Sequence, residues 1–285
     1  MPLSGFLLVL TAAFCHATWN FFVKRIGGGP ELIWLFSAIS SIVYLPLALW
    51  IVLVDAPTFG PEHALFLAGS AALHLGYFLL LQTGYRKGDL SLVYPIARAT
   101  GPLLSTAFAV ALLGEALSWQ MALGAATIIF GVLMLSGGFR PGARRVATSV
   151  AFGAGTGILI GSYTAWDAYA VSVLLVPPLV LDYVSGLSRV VLLAPIARRR
   201  GALIARQWRE HRKGVLAVAL LNPLAYILVL YAMTFTPVAY VAPTREISVV
   251  LTVIAGSLLL KEGDLGPRLG WAALVLVGMA TLALG

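Results

Sequence analysis

The chain of 285 residues is 60% hydrophobic and only 11% charged, with a mean hydropathy of +0.95 and a formal charge of +8. Soluble domains carry about 25% charged residues, so these proportions exclude an ordinary soluble domain and imply an integral membrane protein. The positive excess does not require a nucleic-acid partner, because basic residues beside membrane spans set topology and touch anionic headgroups.

Ten apolar segments follow one another, at roughly 3–23, 31–54, 63–85, 91–113, 118–137, 149–170, 177–197, 214–234, 239–260 and 267–284. Each approaches the roughly 20 residues that cross a bilayer as a helix. The first lacks a positive flank and stays apolar to Phe22, which predicts a retained span and no cleaved signal. The single cysteine, Cys15, lies inside it and permits no intrachain disulfide. Gly27-Gly28-Gly29-Pro30, Gly137-Gly138 and Phe235-Thr236-Pro237 mark breaks with turn formers. Of the 19 lysines and arginines, 16 fall in the connections after spans one, three, five, seven and nine. The positive-inside rule then puts those connections in the cytoplasm and both termini outside it.

The chain is written twice. YPIARATGPLLSTAFAVALLGE, ending at Glu115, returns as VAPTREISVVLTVIAGSLLLKE, ending at Glu262. One offset of 147 residues aligns Trp19 with Trp166, Asn20 with Asp167, Pro30 with Pro177, Arg98 with Arg245, Glu115 with Glu262 and Gly131 with Gly278. An odd number of spans per half forces the halves to cross in opposite directions, an arrangement found in transporters with a substrate site at the repeat interface. The expected fold is therefore an all-α membrane protein of ten transmembrane helices, in two inverted five-helix repeats spanning 1–140 and 141–285.

HATWNFFVKR on span one, the YPIARATGP turn leading into span four and the GE closing that span resemble the EamA family of the drug/metabolite transporter superfamily. The resemblance covers essentially the whole chain and implies transport of a small organic solute. A narrower resemblance is to the YddG-type amino acid exporters of that family. Four-helix multidrug relatives carry an essential glutamate in span one, where this chain has no acid, which puts proton-driven drug antiport in doubt.

Ionisable groups inside a span cost about 2.5–3.5 kcal/mol at a helix centre, so each needs a cavity or a partner. Arg98 and Arg245 suit a substrate carboxylate through paired N–H donors, or else an architectural role, since both halves repeat them. Glu115 and Glu262 read as helix-end ties. Asp182 and Arg189 stand seven residues apart on one face of span seven, opposite Leu35 and Ile42 in the other half. That asymmetry favours Arg189 for the cavity wall, the alternatives being neutralisation by Asp182 or snorkelling. His16 lines up with Asn20, and Tyr163 with Asp167, giving two polar faces that meet across the repeat axis. Asp167 is either a proton carrier or an ion-pair partner of an arginine. His74, Tyr77 and Phe78 on span three, with Tyr94, form an aromatic wall, and Asn222, Pro223 and Tyr226 a weaker one on span eight. Pro95, Pro102, Pro223 and Pro243 offer hinges or exposed carbonyls.

No phosphate loop, HExxH pair or GxSxG elbow appears, and only Ser162 with His74 could be nominated as nucleophile and base. The expected substrate-binding residues are Trp19, Asn20, His74, Tyr77, Phe78, Tyr94, Arg98, Tyr163, Trp166, Asp167, Arg189 and Arg245, with no catalytic residue, metal or cofactor. The expected protein is a monomer of a bacterial-type inner membrane that contacts lipid and a small-molecule substrate, and no nucleic acid. Its function is export of metabolites, most readily amino acids including aromatic ones, by alternating access. A proton-coupled drug or organic-cation pump and a metabolite importer or exchanger remain the rival readings.

Overall fold

The computed structural model describes residues 2–55, 57–113, 118–135, 144–236, 241, 245, 247–261 and 264–284. Among them run ten α-helices: α1 (Leu3–Ile26), α2 (Pro30–Trp50), α3 (Pro61–Lys87), α4 (Leu90–Leu113), α5 (Trp119–Leu135), α6 (Arg144–Ser172), α7 (Pro178–Arg199), α8 (Gly201–Met233), α9 (Ile247–Ile254) and α10 (Leu265–Leu284). A π-helical turn continues α2 over Ile51–Asp55 and α9 over Ala255–Leu259. The described parts of the ten apolar runs fall largely on these helices, and six of the helices are long and apolar enough to cross a membrane: α1, α2 with its π turn, α3, α6, α7 and α8. Large apolar side chains such as Ile42, Leu53, Leu65, Val191 and Val277 face outward, while Ser37, Gln82, Asp167 and Arg189 are buried. Apolar outside and polar inside is the distribution a lipid solvent selects. The protein is an integral membrane protein.

Hydropathy and helix do not end together. The apolar run of α8 starts near residue 214, yet the helix starts at Gly201 and takes in the basic stretch, bending at His211 (φ −132°, ψ 24°). Arg, Gln, Glu and Lys are good helix formers, and an Arg206–Glu210 pair at 3.0 Å braces the turn. Charge decides where a helix leaves lipid, not where it stops. The opposite case is Gly27-Gly28-Gly29, all at positive φ (99°, 60° and 117°), which residues with a Cβ avoid. Pro30 then opens α2, and the Gly29 N–H donates to Gln82 Oε1 at 2.6 Å.

Among the described residues, four of the basic connections and the start of α6 gather on one face. Lys24 donates to the carbonyls of Tyr85, at 2.6 Å, and Gly88. Arg200 pairs with the buried Glu31, Arg268 lies 3.4 Å from Asp89, and the Asp89 N–H donates to Ser149 Oγ at 3.3 Å. On the other face His63 Nδ1 accepts the Gly60 N–H at 3.0 Å, which leaves Nε2 to donate to Leu174 O at 3.2 Å. The readings that fall on Glu115, Gly137-Gly138, Pro237, Pro243 and Glu262 lie outside the described residues.

Helices pair across the two halves: α1 with α8, α3 with α6, α2 with α7 and α8, α3 with α7, α4 with α6, α1 with α9, and α5 with α10. Two seams are closed by glycine. Between α5 and α10, a Cβ on Gly131 would stand 2.7 Å from Val275 Cγ2, and one on Gly278 2.9 Å from Ile128 Cγ1. Between α4 and α6, Gly153, Gly157 and Gly161 recur every four residues and meet Ile96, Ala97 and Gly101, the small-residue spacing that lets membrane helices approach backbone to backbone.

Candidate functional site

Five helices wall a narrow cavity with room for little more than water. His16 and Trp19 come from α1, His74, Tyr77 and Phe78 from α3, Tyr163 from α6, Asp182 from α7, and Asn222 and Tyr226 from α8. Both halves of the chain thus contribute wall.

His74 is the hub of that wall. Its Nε2 lies 2.9 Å from Asp167 Oδ2, and the Tyr226 hydroxyl donates to the same oxygen at 2.6 Å. The His74 ring centroid is 4.2 Å from that of Tyr163, 4.9 Å from Tyr226 and 6.3 Å from Tyr77. Asp167 is fully buried behind these rings, and its Oδ1 has no hydrogen-bond partner among the described residues. The carboxylate therefore orients an imidazole and a phenol, which in turn shape an aromatic box.

On α1 the Trp19 indole donates to His16 Nδ1 at 3.1 Å. A neutral His16 then carries its proton on Nε2, and that buried nitrogen has no partner among the described residues. Asn20 points away from the box: its amide donates to His16 O at 2.7 Å, and its Oδ1 accepts the Tyr85 hydroxyl at 2.5 Å. It joins α1 to α3.

A second cavity lies between α2, α7 and α8, where Ser40, Ser41, Tyr44, Asp182, Arg189 and Pro223 contribute lining. Pro223 lacks an N–H and so frees the carbonyl of Ala219 one turn earlier. Ser40 Oγ donates to that carbonyl at 2.6 Å, and the Tyr44 hydroxyl to Leu220 O at 2.8 Å. Two residues on one face of α2 thus satisfy backbone opened by a proline on α8. Arg189 donates from Nε to Ser37 Oγ at 3.2 Å and from Nη1 to Ser185 Oγ at 3.1 Å, with its guanidinium 4.7 Å from the Phe78 ring centroid.

Of the residues expected from sequence, Trp19, His74, Tyr77, Phe78 and Tyr163 line the first cavity, and Arg189 lines the second. Asp167 and Asn20 stand behind the wall. Trp166 lies elsewhere, stacked on Phe66 at 4.4 Å with its indole donating to Phe66 O at 2.8 Å. The repeat aligns the two tryptophans in register, but their neighbours differ, and the Gly69 position gives Trp166 a groove on α3 to fill. Tyr94 shares a 2.8 Å hydrogen bond with Ser248, tying α4 to α9. Arg98 and Arg245 are buried outside the cavity lining. The polar faces of α1 and α6 do not pack together, because α1 rests on α8 and α6 on α3 and α4; of the four residues on them, His16 and Tyr163 line the cavity. His16, Asp182, Asn222 and Tyr226 complete the lining, and their signal in the sequence is polarity inside a span.

Ser162 donates to Ile158 O of its own helix at 2.9 Å on an exposed face, so it makes no dyad with His74. Among the described residues no group of three His, Cys, Asp or Glu side chains is placed to hold a metal ion. The arrangement can bind and orient a small solute with an aromatic or polar portion.

Residues 3–137 match the EamA-like transporter family. A search of curated proteins gives no match. Sixteen chains of solved structures are similar; one crystal structure aligns over 99% of this chain and 97% of its own at a TM-score of 0.64 and 18% identity, a likeness of fold.

Proposed function

We propose, from a first half that matches the EamA-like transporters, that the whole chain is a secondary transporter of the drug/metabolite type that exports amino acids, aromatic ones included. Its working unit is two inverted five-helix repeats with the substrate site between them. The reciprocal packing supports this: exchanging each helix for its mate five places on turns the α1–α8 pair into α6–α3 and α2–α8 into α7–α3, and leaves α5–α10 and α2–α7 unchanged. The odd connections face the cytoplasm of a bacterial-type inner membrane, with both termini outside, as the basic face favours. The likeness to the YddG-type exporters belongs to the same reading.

The observation that carries it is the narrow cavity walled by both halves and lined by Trp19, Tyr77, Phe78, Tyr163 and Tyr226. Aromatic rings give a flat apolar solute contact area and edge-to-face geometry. Counterflow in proteoliposomes tests the reading. Wild-type protein preloaded with unlabelled phenylalanine should accumulate labelled phenylalanine, and Tyr77→Ala, folded normally, should need about tenfold more substrate for the same rate. No counterflow with any amino acid would sink the proposal. The buried His74–Asp167 pair favours a second reading, proton-coupled efflux; flux that requires an imposed pH gradient would select it.

A further inference from the structure

The two cavities share one side chain, Asp182. It is 7% exposed and sits on α7 where the aromatic box gives way to the serine-lined cavity. Three acids are buried among the described residues: Glu31, Asp167 and Asp182. Arg200 satisfies Glu31, and His74 and Tyr226 satisfy one oxygen of Asp167. Asp182 has neither a hydrogen-bond donor nor an ion-pair partner among the described residues.

Its nearest helix neighbour in charge, Arg189, is two turns along α7 and already engaged. Nε and Nη1 of Arg189 donate to Ser37 and Ser185, and its face lies against Phe78. That guanidinium lowers the electrostatic cost of a carboxylate in the span without touching it. An acid left without donors in such a place is expensive, and the fold does not require one: the position 147 residues earlier is Leu35, buried in the same role on α2. Asp182 lines both cavities, where a donor from outside the chain can reach its carboxylate.

We infer that Asp182 receives the ammonium group of the transported solute at the neck between the two cavities. The inference rests on the transport reading for the ligand's identity. An ammonium brings three N–H donors, and Trp19, Tyr77 and Tyr226, which line the same cavity, are residue types whose rings attract a cation. Ser41, whose buried hydroxyl has no partner, offers a further acceptor on the second-cavity side. A bare metal cation is a poor fit, since hard cations require six or more oxygen ligands.

Binding to the full-length protein in nanodiscs, measured by equilibrium dialysis, tests this with four labelled probes: phenylalanine, phenethylamine, N-acetylphenylalanine and 3-phenylpropionate. Wild type should bind the first two at least about tenfold more tightly than the last two. Asp182→Asn and Asp182→Leu, the second copying Leu35, should lose that preference, and Asp182→Glu should keep part of it. Equal binding of ammonium and non-ammonium probes by wild type, binding of none of them, or an unchanged preference in Asp182→Asn overturns the inference. A change confined to the pH dependence of flux, with the preference intact, overturns it too and makes Asp182 a proton site. Asp182-dependent binding without counterflow upholds the inference and removes the transport reading. Counterflow that Asp182→Asn leaves unchanged does the reverse.

Discussion

Gly157→Ala lowers the melting temperature of the purified protein by roughly 2–8 °C, whereas Gly155→Ala, two residues away, leaves it unchanged or raises it. Both substitutions gain the same intrinsic helix preference of alanine over glycine, about 1 kcal/mol. They differ in what the new methyl meets. At Gly155 the nearest atom is Leu80 Cδ2 at 3.0 Å, the tip of a side chain that can rotate aside. At Gly157 it would stand 2.5 Å from the Ala97 carbonyl oxygen and 2.5 Å from Thr100 Cβ, and neither can yield without moving α4. Forced separation of two packed helices costs about 2–3 kcal/mol; less the gain from alanine, about 1–2 kcal/mol remains, which becomes the stated drop at about 2–4 °C per kcal/mol. Equal melting temperatures for the two variants would mean that α4 and α6 do not touch through their backbones.

Asp167→Ala has the second large effect, on stability and transport together. It removes the acceptor of both the His74 Nε2 and the Tyr226 hydroxyl in a region closed to water. Each orphaned donor costs about 1–3 kcal/mol, so the variant loses about 2–5 kcal/mol, and counterflow falls at least about tenfold because the box loses two of its walls. Asp167→Asn separates geometry from charge. Its amide oxygen can accept both hydrogen bonds, and its amino group takes the place of the buried Oδ1, which has no partner. Its melting temperature should therefore fall between wild type and Asp167→Ala. An Asp167→Ala protein that melts like wild type would show that the His74 network holds nothing together. An Asp167→Asn protein that melts near wild type yet carries no flux would make the charge itself part of transport.

Much of the architecture can be read from the sequence because a bilayer punishes polarity over whole spans, and ten runs of apolar residues leave little choice of partition. The site is less legible. Hydropathy identifies a polar group inside a span but not the direction in which it points. Trp19 and Trp166 occupy equivalent positions, yet one faces the cavity and the other fills a groove beside Phe66. Asn20 and Asp167 are equivalent too, and each is used up by neighbours on a different helix, Tyr85 for one and His74 with Tyr226 for the other. His16, Asn222 and Tyr226 are as visible as polar residues as those expected to bind, but the helix face that carries them is fixed by cross-half packing. The start of α8 at Gly201 shows the same limit, since a basic helix and a basic loop have similar composition.

The glycines at 153, 157 and 161 have no counterparts in the other half. The positions 147 earlier are Phe6, Leu10 and Phe14, with Phe6 and Phe14 exposed on α1. The seam that corresponds to α4–α6 is α1–α9, and α1 carries no glycine at these three positions. Backbone contact at Gly157 and Gly161 is expected to make α4 and α6 the stiffer pair and α1 with α9 the more compliant one. On the transport reading proposed above, the expected motion is unequal, a fixed jamb and a swinging door. Amide hydrogen exchange with and without saturating substrate should change on α1 and α9 and stay constant along 93–101 and 153–161; a change confined to the glycine seam would put the door on the other side.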